Sequence, residues 1–173
     1  MDGPYRFVST TAFMTYKKGL LDMKKDYLEL TRLIERLHRR FLDVLRAELG
    51  RMGVKELNAV QALLLSNIGN EEIAIRDLIE RGYYQGSNVS YNIKKLTDMG
   101  YLEQERSQHD RRSVTVRLTA KALEVVERVH KLEDANAEAV TKSGLGAEDM
   151  TQAGECLRKI ERTWADYIRY GDG

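Results

Sequence analysis

The chain has a single cysteine, Cys156, and a single proline, Pro4, in 173 residues. One thiol forms no internal disulfide, so an extracellular scaffold stapled by crosslinks is excluded and a reducing cytoplasm is the expected setting. Cys156 lies beside an apolar seam with no second cysteine near it, and is expected to be buried and inert rather than a redox sensor. With proline confined to position 4, no proline-rich linker divides the chain, and neither does a repeat or a low-complexity segment. Three histidines, with no Cys-x-x-Cys and no His-Glu-x-x-His, argue against a metal site, and no cofactor is expected. Gly-x-Ser-x-Gly, a phosphate-binding loop and a dinucleotide fingerprint are also missing, and Gly146-Ala-Glu-Asp149 reads as a helix start rather than a catalytic centre, so an enzyme is not expected. No run approaches the length of a membrane span. Met1 to Gly19 contains Tyr5, Phe7, Phe13 and Tyr16, but no continuous apolar segment of the secretory kind.

A large charge of one sign is absent too: 28 Lys and Arg stand against 27 Asp and Glu, a net charge of +1. The 42% hydrophobic content suffices for a core in a chain of this length. Charge is unevenly placed, however. Residues 81–121 hold eight basic side chains (Arg81, Lys94, Lys95, Arg106, Arg111, Arg112, Arg117, Lys121) and four acids (Asp98, Glu103, Glu105, Asp110), which makes +4 there and −3 elsewhere. A local positive footprint on a near-neutral protein confines attraction for a polyanion to one surface.

Within that segment runs Gly86-Ser-Asn-Val-Ser-Tyr-Asn-Ile-Lys-Lys-Leu-Thr-Asp-Met-Gly-Tyr101. Val89, Ile93 and Leu96 fall at spacings of four and three, so one helical face is apolar and Asn88, Ser90, Tyr91, Lys94 and Lys95 occupy the other. That second face carries groups able to meet bases or phosphates, and no acid lies between Ser87 and Thr97. Ser87 or Asn88 is available as the N-cap. A shorter helix from Ile75 to Arg81, with Ile75, Leu78 and Ile79 inward, precedes it across Gly82-Tyr-Tyr-Gln-Gly86, and two helices joined this way form a helix-turn-helix. Tyr83 and Tyr84 are expected to pack the junction rather than stack on bases. The second helix would present Asn88 and Tyr91 to base edges in the major groove, Ser87 to a phosphate, and Lys94 and Lys95 to the backbone.

Tyr101 to Arg106 and Ser113 to Thr119 are strand-like. The second alternates Val114, Val116 and Leu118 with Ser113, Thr115 and Arg117, the period of a sheet with one buried face. Ser107-Gln-His-Asp-Arg-Arg112 joins them, a hairpin tip with two adjacent arginines suited to a minor groove, whose negative potential favours arginine. His109 there would meet solvent or a phosphate. Taken alone, a Lys-Lys pair is usually a solvated face and an Asp-Arg hairpin tip usually a stable turn. Their sequence beside one another favours a reader with a wing, using Ser87, Asn88, Ser90, Tyr91, Lys94, Lys95, Arg106, Asp110, Arg111 and Arg112 to bind double-stranded DNA.

Apolar seams lie at both ends of the chain. A long helix is expected from Leu20, with Met23, Tyr27, Leu30, Ile34, Leu37, Phe41 and Val44 at alternating spacings of four and three, widened by Leu33, Leu42, Leu45 and Leu49. So wide a stripe suits packing both within a subunit and across an interface. Gly50 and Gly53 are its expected end. A further helix from Lys55 to Ile68 carries Leu57, Val60, Leu63, Leu64 and Ile68, and Gly69 stops it. Thr119 can cap a helix with Leu123, Val126, Val129 and Leu132, broken by Gly144 and Gly146. The last helix carries Met150, Ala153, Leu157, Ile160, Trp164 and Tyr167. The expected fold is therefore mainly α with a small β-hairpin: an arm over 1–19, a dimerisation helix over 20–54, a winged helix-turn-helix domain over 55–119 and C-terminal dimerisation helices over 120–173.

This succession, with Asp110-Arg-Arg112 ahead of Val114-Thr-Val-Arg-Leu-Thr119, resembles the MarR family of winged-helix transcriptional regulators. The likeness spans Leu20 to Ile168 in architecture and is specific in sequence over Asn88 to Thr119. It implies that Asp110 and Arg112 pair to shape the wing. It also implies a homodimer joined through its N- and C-terminal helices, each subunit reading half of an inverted repeat, most often as a repressor. The first eighteen or so residues depart from the shorter family pattern, either as an arm across the partner subunit or as a disordered tail. The family further implies a crevice for a small, often aromatic or phenolic, effector. Thr31 and His38 are the candidates for its polar contacts, although a histidine hydrogen-bonded at a helix interface is the plainer reading of His38. The competing function is a winged-helix dimer that binds protein and not DNA.

Overall fold

In the computed structural model of the protein, residues 10–69, 71–80, 86–106 and 114–171 are described. Along them run α1 (Thr10–Arg51), α2 (Ala59–Ile68), β1 (Ile73–Ala74), α3 (Ile75–Glu80), α4 (Gly86–Asp98), β2 (Leu102–Arg106), β3 (Val114–Leu118), α5 (Ala120–Lys142) and α6 (Ala147–Tyr170). The chain divides into two compact units between Leu64 and Leu65, within α2.

The first unit is dominated by α1, whose 42 residues correspond to about 63 Å at 1.5 Å per residue. It begins at Thr10, ten residues before the expected start, so the division at residue 19 between arm and helix is not a structural one. The reason is local. No proline lies between Thr10 and Leu20, and a lone glycine such as Gly19 costs a helix only about 1 kcal/mol relative to alanine, too little to stop it. Residues 1–9 lie outside the described part. Along the seam Leu45 and Leu49 are buried, Leu30, Ile34, Phe41, Leu42 and Val44 half-buried, and Met23, Tyr27, Leu33 and Leu37 exposed. The helix ends as expected around its glycines: Gly53 takes a φ of 74°, and the amide of Val54 donates to the carbonyl of Leu49 at 3.0 Å.

Helix α2 starts four residues later than the expected Lys55, because Asn58 is its cap. The Asn58 Oδ1 accepts from the amide of Gln61 at 2.8 Å, and Gln61 Oε1 accepts from the amide of Asn58 at 3.1 Å, a reciprocal pair that satisfies two otherwise orphaned donors. Leu57, Leu64 and Ile68 are buried as expected, whereas Val60 and Leu63 are only half-buried and Leu65 takes a buried place instead.

The second unit contains an antiparallel sheet of three strands in the order β1-β3-β2, where the sequence predicts a hairpin alone. The additional strand pairs Ile73 with Val116 and Ala74 with Thr115. Two residues are too few for a period of two to show in sequence. Strands β2 and β3 pair from Leu102 with Leu118 to Arg106 with Val114. Leu102 and Val116 are buried, while Glu103, Glu105 and Arg117 stand on the exposed face. Helix α4 packs on α3 and β2, and α5 on β3. The core they enclose includes Ile73, Leu78, Val89, Ile93, Leu96, Tyr101, Leu102 and Val116. Ile75 and Ile79, expected inward, are half-buried on a helix of only six residues. Arg81 and the connection with Tyr83 and Tyr84 lie outside the described residues.

Thr119 caps α5 as expected, its hydroxyl accepting from the amide of Ala122 at 3.3 Å. The buried positions that follow are Ala122, Val125, Val126 and Val129. Leu123, expected among them, is 42% exposed, because at 100° per residue it projects well outside the arc those four define. At the start of α6 the amide of Gly146 donates to the carboxylate of Asp149 at 2.8 Å, the arrangement expected for a helix start at Gly146. No residue of α6 is buried, and Met150, Leu157, Trp164, Tyr167 and Ile168 are exposed. Cys156 shares that exposure, which corrects the expectation of burial: the apolar seam beside it is itself uncovered. Among the described residues no helix is long and apolar enough to cross a membrane.

Candidate nucleic-acid interface

Helix α4 is amphipathic in the sense its spacing predicts. Val89, Ile93 and Leu96 are buried, and Asn88, Ser90, Tyr91, Lys94 and Lys95 are exposed, Tyr91 by 66%. Seating three branched aliphatic side chains in the core fixes the helix about its own axis, so the five polar groups share one outward face. Both ends of the expected footprint need correction or lie out of view. Since α4 already includes Gly86, Ser87 and Asn88 stand in its first turn and neither is the N-cap. The Asn88 carbonyl accepts from Asn92 Nδ2 at 2.9 Å, an ordinary contact within the helix. The side chains of Ser87 and Arg106, and all of His109, Asp110, Arg111 and Arg112, lie outside the described residues.

The carboxyl end of α4 is tied down by several independent contacts. Gly100 adopts a φ of 75°, and the amides of Gly100 and Tyr101 donate to the carbonyls of Thr97 and Leu96, both at 2.9 Å. This is the left-handed stop that a residue without Cβ permits. Thr97 donates to Ile93 O at 2.9 Å and accepts from Gln104 Nε2 at 2.8 Å, which joins the helix to β2. Thr119 Oγ1 donates to the Gly100 carbonyl at 2.8 Å. Lys121 donates to the Met99 carbonyl at 3.3 Å, with its ammonium 4.1 Å from the centre of the Tyr101 ring. A cation at this end also complements the negative pole of the helix.

The cations of the footprint are not equally available. Lys94 Nζ lies 2.8 Å from Asp98 Oδ2. That hydrogen bond, and then the attraction of the Asp98 charge, raises the Lys94 pKa above its ordinary value. A raised amine pKa means that the favourable pairing is fully present below the usual lysine range and is lost only as pH rises through the elevated value. Lys94 therefore stays charged throughout the neutral range. Arg117 is gripped by Glu103 at 2.6 Å and by Glu105 at 3.4 Å, so its charge is more than offset on the exposed face of the strands. Lys95 is exposed and makes no ion pair among the described residues. A sum of charges does not disclose these pairs, although the i, i+4 spacing of Lys94 and Asp98 is a readable signal for one of them.

In the first unit, Thr31 and His38 sit two turns apart on α1, about 10.5 Å by helical rise. The Thr31 hydroxyl donates to the Leu28 carbonyl at 3.0 Å, so its one proton is already used, and His38 is exposed.

Residues 57–122 match the family model described as a winged helix DNA-binding domain. The exopolysaccharide II synthesis transcriptional activator ExpG of Rhizobium meliloti (strain 1021) is 35% identical over 145 residues, covering 84% of this chain and 75% of the relative. A MarR transcriptional regulator from Methanosarcina mazei Go1 has a similar fold, with a TM-score of 0.64, 20% identity and coverage of 79% of this chain and 96% of that one. A mutant MarR from E. coli complexed with operator DNA gives a TM-score of 0.63 at 20% identity, over 78% of this chain and 95% of that one.

Proposed function

The chain belongs to the MarR family of winged-helix transcriptional regulators, and from that premise we propose that it works as a homodimer gripping an inverted-repeat operator. It is a DNA-binding regulator and not an enzyme. The observation that carries the proposal is the outward face of α4, where Asn88, Ser90, Tyr91, Lys94 and Lys95 stand together while the opposite face is locked in the core. Two such helices, one per subunit, would enter successive major grooves about 34 Å apart, with the wings and their Arg111 and Arg112 in the flanking minor grooves. The exposed apolar side chains of α6 and of α1, among them Trp164, Tyr167, Leu37 and Tyr27, support pairing through the terminal helices, since large apolar groups left in water favour association.

Binding to duplex DNA is expected to weaken steeply as salt rises, and Arg112→Ala to weaken it by about tenfold per subunit, in line with one lost charge contact. Titrations by fluorescence anisotropy over a range of salt concentrations check both. A flat salt response, or an Arg112→Ala variant indistinguishable from the parent, would leave a protein-binding module as the better reading.

Repression from an inverted-repeat operator is the sequence-based expectation, whereas the 35%-identical relative is a transcriptional activator. The α4 geometry serves either sign of regulation, which operator placement decides. Regulation by a small aromatic or phenolic effector would require that ligand to bind the two dimer geometries with different affinity. Thr31, through its oxygen lone pairs, and His38 are the proposed polar contacts. Replacing both with alanine is then expected to raise the effector concentration needed for DNA release by tenfold or more. An unchanged response in a release assay with a metabolite library would remove both residues from the site.

A further inference from the structure

Asp98 stands where helix physics disfavours an acid. It closes the last turn of α4, beside the negative pole of the helix, and its cation lies four residues on the N-terminal side, the weaker of the two orders for such a pair. Both partners are well exposed, 62% for the acid and 77% for the lysine, so little stability comes from the contact. Helix stability therefore does not account for an acid at this position.

The pairing does change what the exposed face offers to a polyanion. Binding to DNA of arbitrary sequence is carried almost entirely by cations that neutralise phosphates and release counterions. Around α4 most described cations are already engaged: Lys94 with Asp98, Arg117 with Glu103 and Glu105, Lys121 with the Met99 carbonyl. Among the described residues Lys95 has no acid partner, and it shares its face with Asn88, Ser90 and Tyr91, which suit base edges. A phosphate that recruits Lys94 must displace a carboxylate that also repels it. Exchanging one ion pair for another gains little unless base contacts already hold the helix at the right depth and register.

We propose that Asp98 is a specificity-determining residue, restraining Lys94 so that this lysine contributes to operator binding and hardly at all to binding of random sequence. The assignment rests on the reading that α4 faces duplex DNA. The experiment uses the full chain and two probes, a duplex selected by the wild-type protein from a random pool and a duplex of unselected sequence. Asp98→Asn keeps the shape of the side chain and removes its charge. It is expected to tighten binding to the unselected duplex by about eightfold at 0.1 M salt and to steepen the salt slope by about 0.9, each per subunit, the effect of one added phosphate contact in each. Binding to the selected duplex tightens by no more than about twofold, so discrimination falls.

In a Lys94→Gln background the same Asp98→Asn change is expected to have little effect. An undiminished gain there would mean that Asp98 repels DNA on its own account, and would overturn the proposal. Lys95→Gln separates the two levels of the argument. If it weakens binding and flattens the salt slope while Asp98→Asn is silent, the Asp98 assignment falls and the reading of α4 stands. If Lys95→Gln changes nothing, that reading falls and the assignment with it.

Discussion

Replacing Lys94 and Lys95 together with glutamine is expected to abolish high-affinity operator binding while leaving the fold intact. Each lysine that meets a phosphate contributes nearly one unit to the slope of log affinity against log salt. A dimer presents both lysines twice, so the slope should become shallower by about 3.6, and affinity at 0.1 M salt should fall by about three and a half orders of magnitude. On unselected DNA the loss is expected to be smaller, because Asp98 already withholds Lys94. Neither lysine contributes to the core, and the only described ion pair either one makes is the exposed contact of Lys94 with Asp98. The urea midpoint of the variant should therefore match that of the parent. Anisotropy titrations across a salt series, run beside urea unfolding, test both halves. An affinity within threefold of the parent would remove α4 from the DNA interface.

Leu96→Ala should do the reverse, destabilising the protein while leaving the exposed face chemically unchanged. Leu96 is 0% exposed and is the last inward residue of α4, on the side that packs against α3 and β2. Truncating a fully buried leucine removes its transfer free energy and leaves a cavity, at a cost of about 2–5 kcal/mol. Against a typical total stability of about 5–15 kcal/mol, that is a large fraction. Urea unfolding should report the loss directly. DNA binding should decline in step with the unfolded fraction, and the folded remainder should keep the parental salt slope. A loss below about 1 kcal/mol would contradict the seating of α4 described above. Together the two variants separate the two faces of one helix, since one loses binding without stability and the other loses binding only through stability.

Much of the interface was legible beforehand, and the reason is visible in α4 itself. Residues at spacings of three and four share a helical face whatever surrounds them, so Val89, Ile93 and Leu96 identify the inward side and their neighbours the outward one. Caps are equally local: Thr119 and Gly146 open their helices as their residue types predict. Less legible was the state of the charges. Counting eight cations against four acids described the footprint as a sum, whereas Lys94 and Arg117 are each held by particular carboxylates. The contacts that anchor the end of α4, from Gln104 on β2 and from Thr119 and Lys121 at the start of α5, leave no local mark in the sequence either. Each joins residues seven to twenty-two positions apart, beyond the reach of any local periodicity.

By itself the amino-acid order determined which side of each helix is apolar, where several helices begin, and that a basic reader stands between two apolar seams. Those properties follow from 100° per residue and from the chemistry of single side chains at helix ends. Tertiary structure alone decided which apolar sides are covered. It buried Leu65, left Cys156 exposed, and drew Ile73 and Ala74 into a third strand. Burial and strand pairing depend on which distant segments meet, and no window along the chain contains both partners of such a contact.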